Sequence, residues 1–319
     1  MFELKRLIGN TTFTEAKNLA NFLGCERLYL KFEGSNPTGT QKDRIALALV
    51  EDAFKNGYKG IITATCGNFG AALAYVAKNF GLETYIYIPT IYHPSKNRIN
   101  YIKQANAHML YVDGHYEDAV EFSSEIAENE NYYNANPGTE RVKEVSFKAY
   151  SEISLELYRS LRRVPDYLFC PVGNGTTLAG IHLGFKQLYK DGKISKIPKI
   201  VATSTTKGNP IIKSYKKKSK LVQDLSPYEI KESKVNEPLI NWHSYDGQEA
   251  LDAIYESNGF AEYASDTKMI NLSKLLRNEQ GLNALPASTS TLAVLSNLRN
   301  ENVILKGTYV SIITGRYFR

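Results

Sequence analysis

The chain is predicted to be an α/β protein of two lobes, each a mostly parallel sheet flanked by helices. Strand-like and helix-like segments alternate along nearly all of its 319 residues, a pattern typical of parallel strands joined by crossover helices. The strand-like segments are almost continuously apolar, as strands are when helices cover both faces of a sheet. Apolar residues make up 43% and charged residues 23% of the chain, a globular composition that supports cores of this kind.

Seven segments have the composition of buried strands, and helical periodicity fills most of the sequence between them. The predicted strands are 27–33, 60–65, 84–89, 108–112, 167–172, 199–203 and 308–313. The predicted helices are 14–23, 42–54, 71–80, 95–105, 116–128, 144–161, one that opens within 173–177 and ends near 189, 247–258, 265–280 and 288–299. The polar segment 129–140 has the composition of a linker between lobes, and 204–240 is expected to be irregular.

Bulk properties exclude several kinds of partner and site. The net charge of +6 is modest for this length, and the basic patch at 213–220 is typical of a solvated loop, so we expect no nucleic-acid partner. Cys25, Cys66 and Cys170 are far apart and the histidines lack metal-ligand spacing, so neither a disulfide scaffold nor a metal site is predicted. Because no apolar run reaches membrane-spanning length and no signal-peptide core is present, we expect a cytoplasmic protein without a membrane partner.

Lys42 lies where a predicted strand gives way to a predicted helix. Thr40 can cap this helix, and Asp43 three residues later completes a capping-box pattern. A lysine in the first turn is unfavourable because a helix N-terminus already carries partial positive charge. This conflict suggests an anionic or covalent partner, and a lysine desolvated at this point is a candidate amine nucleophile.

Three further segments follow predicted strands at their carboxyl ends. The loop 173–177, Gly-Asn-Gly-Thr-Thr, opens a helix and has the composition of a phosphate cradle, although it is neither a Walker A loop nor Gly-x-Gly-x-x-Gly. The loop 65–70, Thr-Cys-Gly-Asn-Phe-Gly, is a second candidate anion site. Thr314 comes directly after the last strand, where α/β folds place ligands. Each segment alone is equally compatible with a simple strand-to-helix turn.

Taken together and in this order, the segments resemble those of the fold-type-II pyridoxal-phosphate enzymes, the family of tryptophan synthase β. The lysine segment, 36–44, has Asn-Pro-Thr-Gly-Thr-x-Lys-Asp-Arg, and 66–70 has Cys-Gly-Asn-x-Gly. The phosphate loop has Pro-Val-Gly-x-Gly-Thr at 171–176, and the tail has Thr-Gly-Arg at 314–316. The resemblance covers nearly the whole chain.

The resemblance implies a role for each matched residue. Lys42 would hold the cofactor, pyridoxal 5'-phosphate, as a Schiff base and later move protons. Asn68 would hydrogen-bond its phenolic oxygen, and Thr314 would face its pyridine nitrogen. The cofactor phosphate would be bound by the loop residues Gly173, Asn174, Gly175, Thr176 and Thr177. The small amino-acid substrate, which could be phosphorylated, would be bound by Thr38, Thr65, Cys66, Gly67 and Phe69.

Within the family, the lysine segment is most similar to that of threonine synthases, which convert O-phosphohomoserine to threonine. Residues that could meet a substrate phosphate are Thr38, Arg44, Lys148 and Lys207. Three departures keep other reactions open: Cys66 stands where a serine is usual, Phe69 narrows the substrate loop, and Arg44 is followed by Ile-Ala as in cysteine synthases. The alternatives are β-replacement of the cysteine-synthase type, β-elimination by a serine/threonine dehydratase, and a non-catalytic homologue that binds the cofactor.

The resemblance also implies an architecture. We expect a smaller, mobile lobe at 36–144 and a larger lobe formed by 1–35 and 145–319, with the cofactor in the cleft between them. A homodimer is expected by resemblance alone.

Overall fold

The computed structural model describes residues 2–65, 67–91, 94–303 and 307–318, with side chains from Leu4 onward. The described strands are β1 (Thr12–Glu15), β2 (Arg27–Phe32), β3 (Gly60–Ala64), β4 (Glu83–Pro89), β5 (His108–Val112), β6 (Tyr133–Asn134), β7 (Tyr167–Pro171), β8 (Lys199–Thr205), β9 (Phe260–Ala264) and β10 (Thr308–Ile313). The described α-helices are α1 (Phe2–Leu7), α2 (Lys17–Phe22), α3 (Lys42–Lys55), α4 (Asn68–Lys78), α5 (Lys96–Gln104), α6 (Tyr116–Asn129), α7 (Glu140–Leu161), α8 (Thr176–Lys190), α9 (Pro210–Lys216), α10 (Gly247–Glu256), α11 (Asp266–Gln280) and α12 (Ser290–Asn300).

The chain divides into two compact units. The first is Met1–Gly9 with Asn36–Ala149, and the second is Asn10–Ser35 with Tyr150–Arg319. Each unit contains one sheet. The predicted α/β class, with mostly parallel sheets flanked by helices, is confirmed.

The sheet of the first unit has four parallel strands in the order β5-β4-β3-β6. Its strand β3 is buried along its whole length, which explains the continuous apolar run in the sequence. Small residues let α4 pack closely in this unit, since Ala71, Ala72, Ala74 and Ala77 are fully buried. The carboxyl end of β3 leads directly into the loop 65–70.

The sheet of the second unit has six strands in the order β1-β2-β10-β7-β8-β9. Only β1 runs antiparallel to its neighbour, and the other pairs are parallel. The central strand β10 is buried throughout, and its Tyr309 stacks on Tyr167 of β7 with ring centroids 5.3 Å apart. Because β7 and β10 are parallel neighbours, the loop 173–177 and Thr314 leave the same edge of this sheet.

The first nine residues belong with the first unit, whereas the sequence had placed them in the larger lobe. The ammonium of Lys5 lies 2.7 Å from the carboxylate of Glu51 on α3, and the N–H of Gly9 donates to Asn36 Oδ1 at 2.9 Å. These contacts join segments that are distant in sequence, so local patterns do not show them.

The predicted linker 129–140 is instead part of the first unit. Its residues include β6, which pairs with β3, and Asn136, which is fully buried. The Asn136 Oδ1 accepts a hydrogen bond from the N–H of Ala64 at 2.7 Å. The polar composition of this segment therefore did not indicate a linker. Its asparagine side chain is buried because it accepts the backbone N–H at the end of a buried strand.

The sequence also missed β1, β9 and α9. The strand β1 occupies the start of the predicted helix 14–23, and its Phe13 stacks on Tyr29 of β2 at 5.3 Å. The strand β9 lies at a sheet edge and is only partly buried, so it lacks a continuous apolar run. The helix α9 begins within the segment that was expected to be irregular, with Pro210 in its first turn.

His182 on α8 makes the stability of the fold depend on pH. Its side chain is buried, with Nε2 3.7 Å from a Glu256 carboxylate oxygen, and burial lowers the pKa of the imidazole from 6.5 to about 4. The unfolded chain therefore binds the extra proton between these two pKa values, so the free energy of unfolding falls as the pH drops through this range. The loss is about 2 kcal/mol at pH 5.

We predict that His182→Gln flattens this dependence, because the variant has no imidazole to protonate on unfolding. Urea unfolding of both proteins at pH 5 and pH 7 measures the difference. The exposed His108 provides a control, and His108→Gln should keep the wild-type pH dependence. The prediction would be contradicted if the free energy of unfolding changed equally between pH 5 and pH 7 in the wild type and in His182→Gln.

Candidate active site

Lys42 is the first residue of α3, as the sequence predicted. The N-cap position is occupied by Gln41 rather than Thr40. The chain turns just before these two residues, at Gly39, which has a φ of 84°. Thr40 still contributes, since its hydroxyl oxygen accepts the N–H of Lys42 at 3.3 Å. The lysine is partly exposed at the first turn of the helix.

Asp43 anchors the segment that precedes the helix. Its buried carboxylate accepts the N–H of Thr38 at 3.0 Å and the hydroxyl of Thr38 at 2.6 Å. Burial raises the pKa of Asp43 to about 6, against the lowering effect of these hydrogen bonds and of the nearby Arg98. Thr38, predicted to contact substrate, therefore uses both of its donors to hold the lysine segment in place.

The loop 65–70 is shaped by a single hydroxyl. Thr65 Oγ accepts from the N–H of Gly67 at 3.1 Å and of Gly70 at 3.3 Å. Gly67 has a φ of 137°, which a residue with a side chain rarely adopts. The helix α4 begins directly afterwards at Asn68, with no side-chain hydrogen bond at its N-cap. The start of α4 therefore offers N–H donors suited to an anion. Cys66 lies outside the described residues.

The structure brings the lysine and this loop together within the first unit. The Lys42 ammonium lies 5.8 Å from the centroid of the Phe69 ring. Asn68 is the neighbouring residue in the same first turn of α4. The Lys42 amine, the Asn68 side chain and the start of α4 thus lie close together. This combination suits an amino acid, because its carboxylate is an anion that a helix start can bind.

In the second unit, the loop 173–177 joins β7 to α8 and requires its glycines. A Cβ on Gly173 would lie 2.8 Å from the Pro238 carbonyl oxygen, and one on Gly175 would lie 2.6 Å from that of Asp246. Gly175 also has a left-handed φ of 96° and leaves α8 without a side-chain cap. The backbone N–H groups at the start of α8 are therefore suited to a phosphate.

Thr176 was predicted to help bind the cofactor phosphate, and its hydroxyl has a partner within the protein. Its Oγ donates to Asp246 Oδ2 at 2.5 Å, so that proton is already used within the loop. The backbone N–H of Thr176, at the first position of α8, is the group that fits a phosphate. The hydroxyl of Thr177 lies on a buried side chain.

Two buried asparagines hold the loop, and their hydrogen bonds could not be foreseen from the sequence. Asn209 Nδ2 donates to the Gly173 carbonyl oxygen and to Asn241 Oδ1, both at 3.1 Å. Asn241 Nδ2 in turn donates to Asn174 Oδ1 at 3.0 Å. The Asn174 amide oxygen is therefore bound by a neighbour, which holds this residue of the loop in place.

Thr314 follows β10 and is fixed by a serine that sequence reasoning did not select as a site residue. Its hydroxyl lies 2.9 Å from Ser288 Oγ, which also accepts the N–H of Gly315 at 3.0 Å. Ser288 is fully buried. Either hydroxyl can be the donor in the bond between Ser288 and Thr314, and in both cases Ser288 holds the Thr314 hydroxyl in place.

The geometry of both units fits one family, and the comparisons agree. A model of the family described as pyridoxal-phosphate dependent enzyme matches residues 4–315, so the chain belongs to that family. The family's cofactor is pyridoxal phosphate. Enzymes of this kind use an amine and phosphate-binding N–H donors to hold the cofactor, and groups of these kinds are present at the start of α3 and at the start of α8.

Curated relatives that match nearly the whole chain are named threonine synthase. The protein from Methanocaldococcus jannaschii is 30% identical over 96% of this chain and 74% of its own length. That from Methanosarcina acetivorans is 28% identical over 98% of this chain and 75% of its own length. The chain thus spans about three quarters of these relatives.

Solved structures show the same fold at lower identity. The processed form of threonine deaminase isoform 2 from Solanum lycopersicum superposes with a TM-score of 0.80, 17% identity, and coverage of 99% of this chain and 86% of the other. Maize serine racemase superposes with a TM-score of 0.79, 16% identity, and coverage of 100% and 94%. These likenesses concern the fold.

Two features are absent from the residues that the structure describes. No helix there is long and apolar enough to cross a membrane. No group of three or more histidine, cysteine, aspartate or glutamate side chains is placed there to hold a metal ion.

We predict that Gly175→Ala weakens pyridoxal-phosphate binding by about tenfold or more, because the new methyl meets the Asp246 carbonyl and the positive φ becomes strained. Titration of the apoenzyme with the cofactor, followed by absorbance, measures the affinity. Gly192→Ala is the matched control, since Gly192 also has a positive φ but has nothing within 4 Å of the added methyl. Equal affinities for the two variants would show that loop shape does not govern binding.

Proposed function

We propose that this chain is a threonine synthase-type enzyme, which converts O-phosphohomoserine and water to threonine and phosphate. The observation that carries the proposal is the similarity, over nearly the whole chain, to relatives named threonine synthase. The lysine segment 36–44 supports it, because it contains the residues expected for a pyridoxal-phosphate enzyme acting on an amino acid.

The predicted residues have complementary tasks in holding the cofactor. Lys42 would bind it covalently, and the N–H groups of the 173–177 loop would bind its phosphate. Asn68 and Thr314 would contact the two polar edges of its ring. When bound, pyridoxal phosphate supplies an electron sink that stabilises negative charge at the substrate's α-carbon.

The chain's own residues would then bind the substrate and move its protons. Helix α4 begins with N–H groups that would bind the substrate carboxylate, in the loop shaped by Thr65. The Lys42 amine would take the α-proton and serve the later proton transfers at the β-carbon. A hydroxyl at position 314 does not drive protonation of the ring nitrogen, which suits a reaction in which loss of a leaving group, here phosphate, relieves the negative charge before water is added at the β-carbon.

Two of the four candidates for the substrate phosphate have partners within the protein. Lys207 Nζ lies 3.0 Å from Asp266 Oδ2, and the hydroxyl of Thr38 donates to Asp43. The other two candidates are Arg44, which is buried in the first turns of α3, and Lys148.

We predict that the holoenzyme releases inorganic phosphate from O-phosphohomoserine and forms threonine in equal amounts. Lys42→Ala should lower this rate by about 10³-fold or more and abolish the visible absorbance of the bound cofactor, because the variant lacks the amine. Phosphate release and amino-acid analysis measure the two products.

The same assay with other substrates separates the alternatives. Faster turnover of O-acetylserine with sulfide would identify β-replacement, and faster conversion of serine or threonine to a keto acid would identify a dehydratase. Either result would overturn the threonine synthase proposal. Cofactor binding without turnover of any of these substrates would favour the non-catalytic homologue.

A further inference from the structure

Arg98 is a buried cation beside the lysine segment, and sequence reasoning gave it no role. It lies on α5, and only 5% of its surface is exposed. Its Nη1 donates to the carbonyl oxygen of Thr38 at 2.7 Å. Thr38 is the residue whose N–H and hydroxyl bind Asp43, next to Lys42. The guanidinium therefore completes the hydrogen bonding of the peptide that positions the lysine.

The apolar stem of Arg98 lies beside Gly67 of the loop 65–70. A Cβ built on Gly67 would lie 3.5 Å from Arg98 Cγ and 3.6 Å from Arg98 Cβ. Gly67 is the point where the loop takes its left-handed turn. One side chain accordingly bonds the lysine segment and lies next to the loop, the two segments that carry the predicted chemistry of the first unit.

A guanidinium is costly to bury unless it is paired and hydrogen-bonded. Burial raises the pKa of the Asp43 carboxyl group, and the positive charge of Arg98 acts on that group in the opposite direction. Because Arg98 also lies beside Gly67, its charge would stabilise a substrate carboxylate bound at the start of α4.

We propose that Arg98 is a positioning residue that ties the 65–70 loop to the lysine segment and makes the loop selective for ligands with a carboxylate. This inference rests on the proposed function only in taking an amino acid as the ligand. It concerns affinity for the carboxylate and is independent of which leaving group departs.

The test compares two ligands that differ only in the carboxylate. L-Threonine and 1-aminopropan-2-ol are titrated into the holoenzyme, and the change in visible absorbance gives each dissociation constant. Arg98→Met keeps the apolar stem beneath Gly67 but removes the charge and the donor to Thr38. We expect it to weaken threonine binding by about tenfold or more and to change the binding of the amine by less than about twofold.

Two further variants separate charge from packing. Arg98→Lys keeps the positive charge, so it should recover part of the threonine affinity. Lys103→Met removes one charge from the exposed side of the same helix and should bind both ligands like the wild type. Thermal unfolding of each holoenzyme identifies any variant whose fold is damaged.

Each outcome decides the question. If Arg98→Met weakened the binding of both ligands equally, Arg98 would have only a packing role and the inference would fail. Unchanged threonine binding in this variant would also overturn it. If the wild type binds L-serine but not L-threonine, the proposed reaction fails, and the Arg98 comparison is made with L-serine and its amine, 2-aminoethanol. Wild-type binding of amines without any preference for amino acids would overturn the inference directly.

Discussion

Parallel strand pairing is the constraint on which the chemistry of this chain depends. Parallel strands direct their carboxyl ends to one edge of a sheet, where helix N-termini also collect. In the first unit this edge provides the loop 65–70 after β3, and in the second it provides the loop 173–177 after β7 and Thr314 after β10. Each predicted site segment in these sheets therefore gains a fixed position and a source of N–H donors from the same backbone geometry.

Buried polar side chains then convert these edges into defined loops. Asn136 caps the end of β3, Asn209 and Asn241 hold the phosphate loop, and Ser288 orients Thr314. A buried amide or hydroxyl without a partner is costly, so each of these groups stabilises one arrangement of its neighbours and disfavours others. The backbone around the predicted site is thus held by buried side chains that were not among the residues predicted to bind substrate or cofactor.

Much of the fold could be predicted from the sequence, because its main signals are local. Continuous apolar runs indicated the buried strands, and the position of Lys42 against the start of α3 followed from the change of periodicity. The strands β1, β6 and β9 were missed because they lie at sheet edges, where partial exposure leaves no continuous apolar run. The first nine residues were misplaced because their ion pair with Glu51 has no local signature.

The candidate site was predictable to the extent that its residues lie in glycine-rich turns. Gly67, Gly173 and Gly175 are required by backbone conformation or close approach, and such requirements leave a clear pattern. Arg98 and Asn209 have no recognisable pattern in the sequence, because an arginine or asparagine in a polar stretch is usually exposed. Their importance comes from burial, which only the folded structure shows.

The order of strands in the second unit has a consequence for synthesis of the chain. Strand β2, made early at residues 27–32, finds its parallel neighbour β10 only when residues 308–313 have been made. All four strands of the first sheet are complete by residue 134. During synthesis, the first unit can therefore close its sheet while β2 still lacks its central partner, and the sheet of the second unit cannot be completed until residues 308–313 have been made.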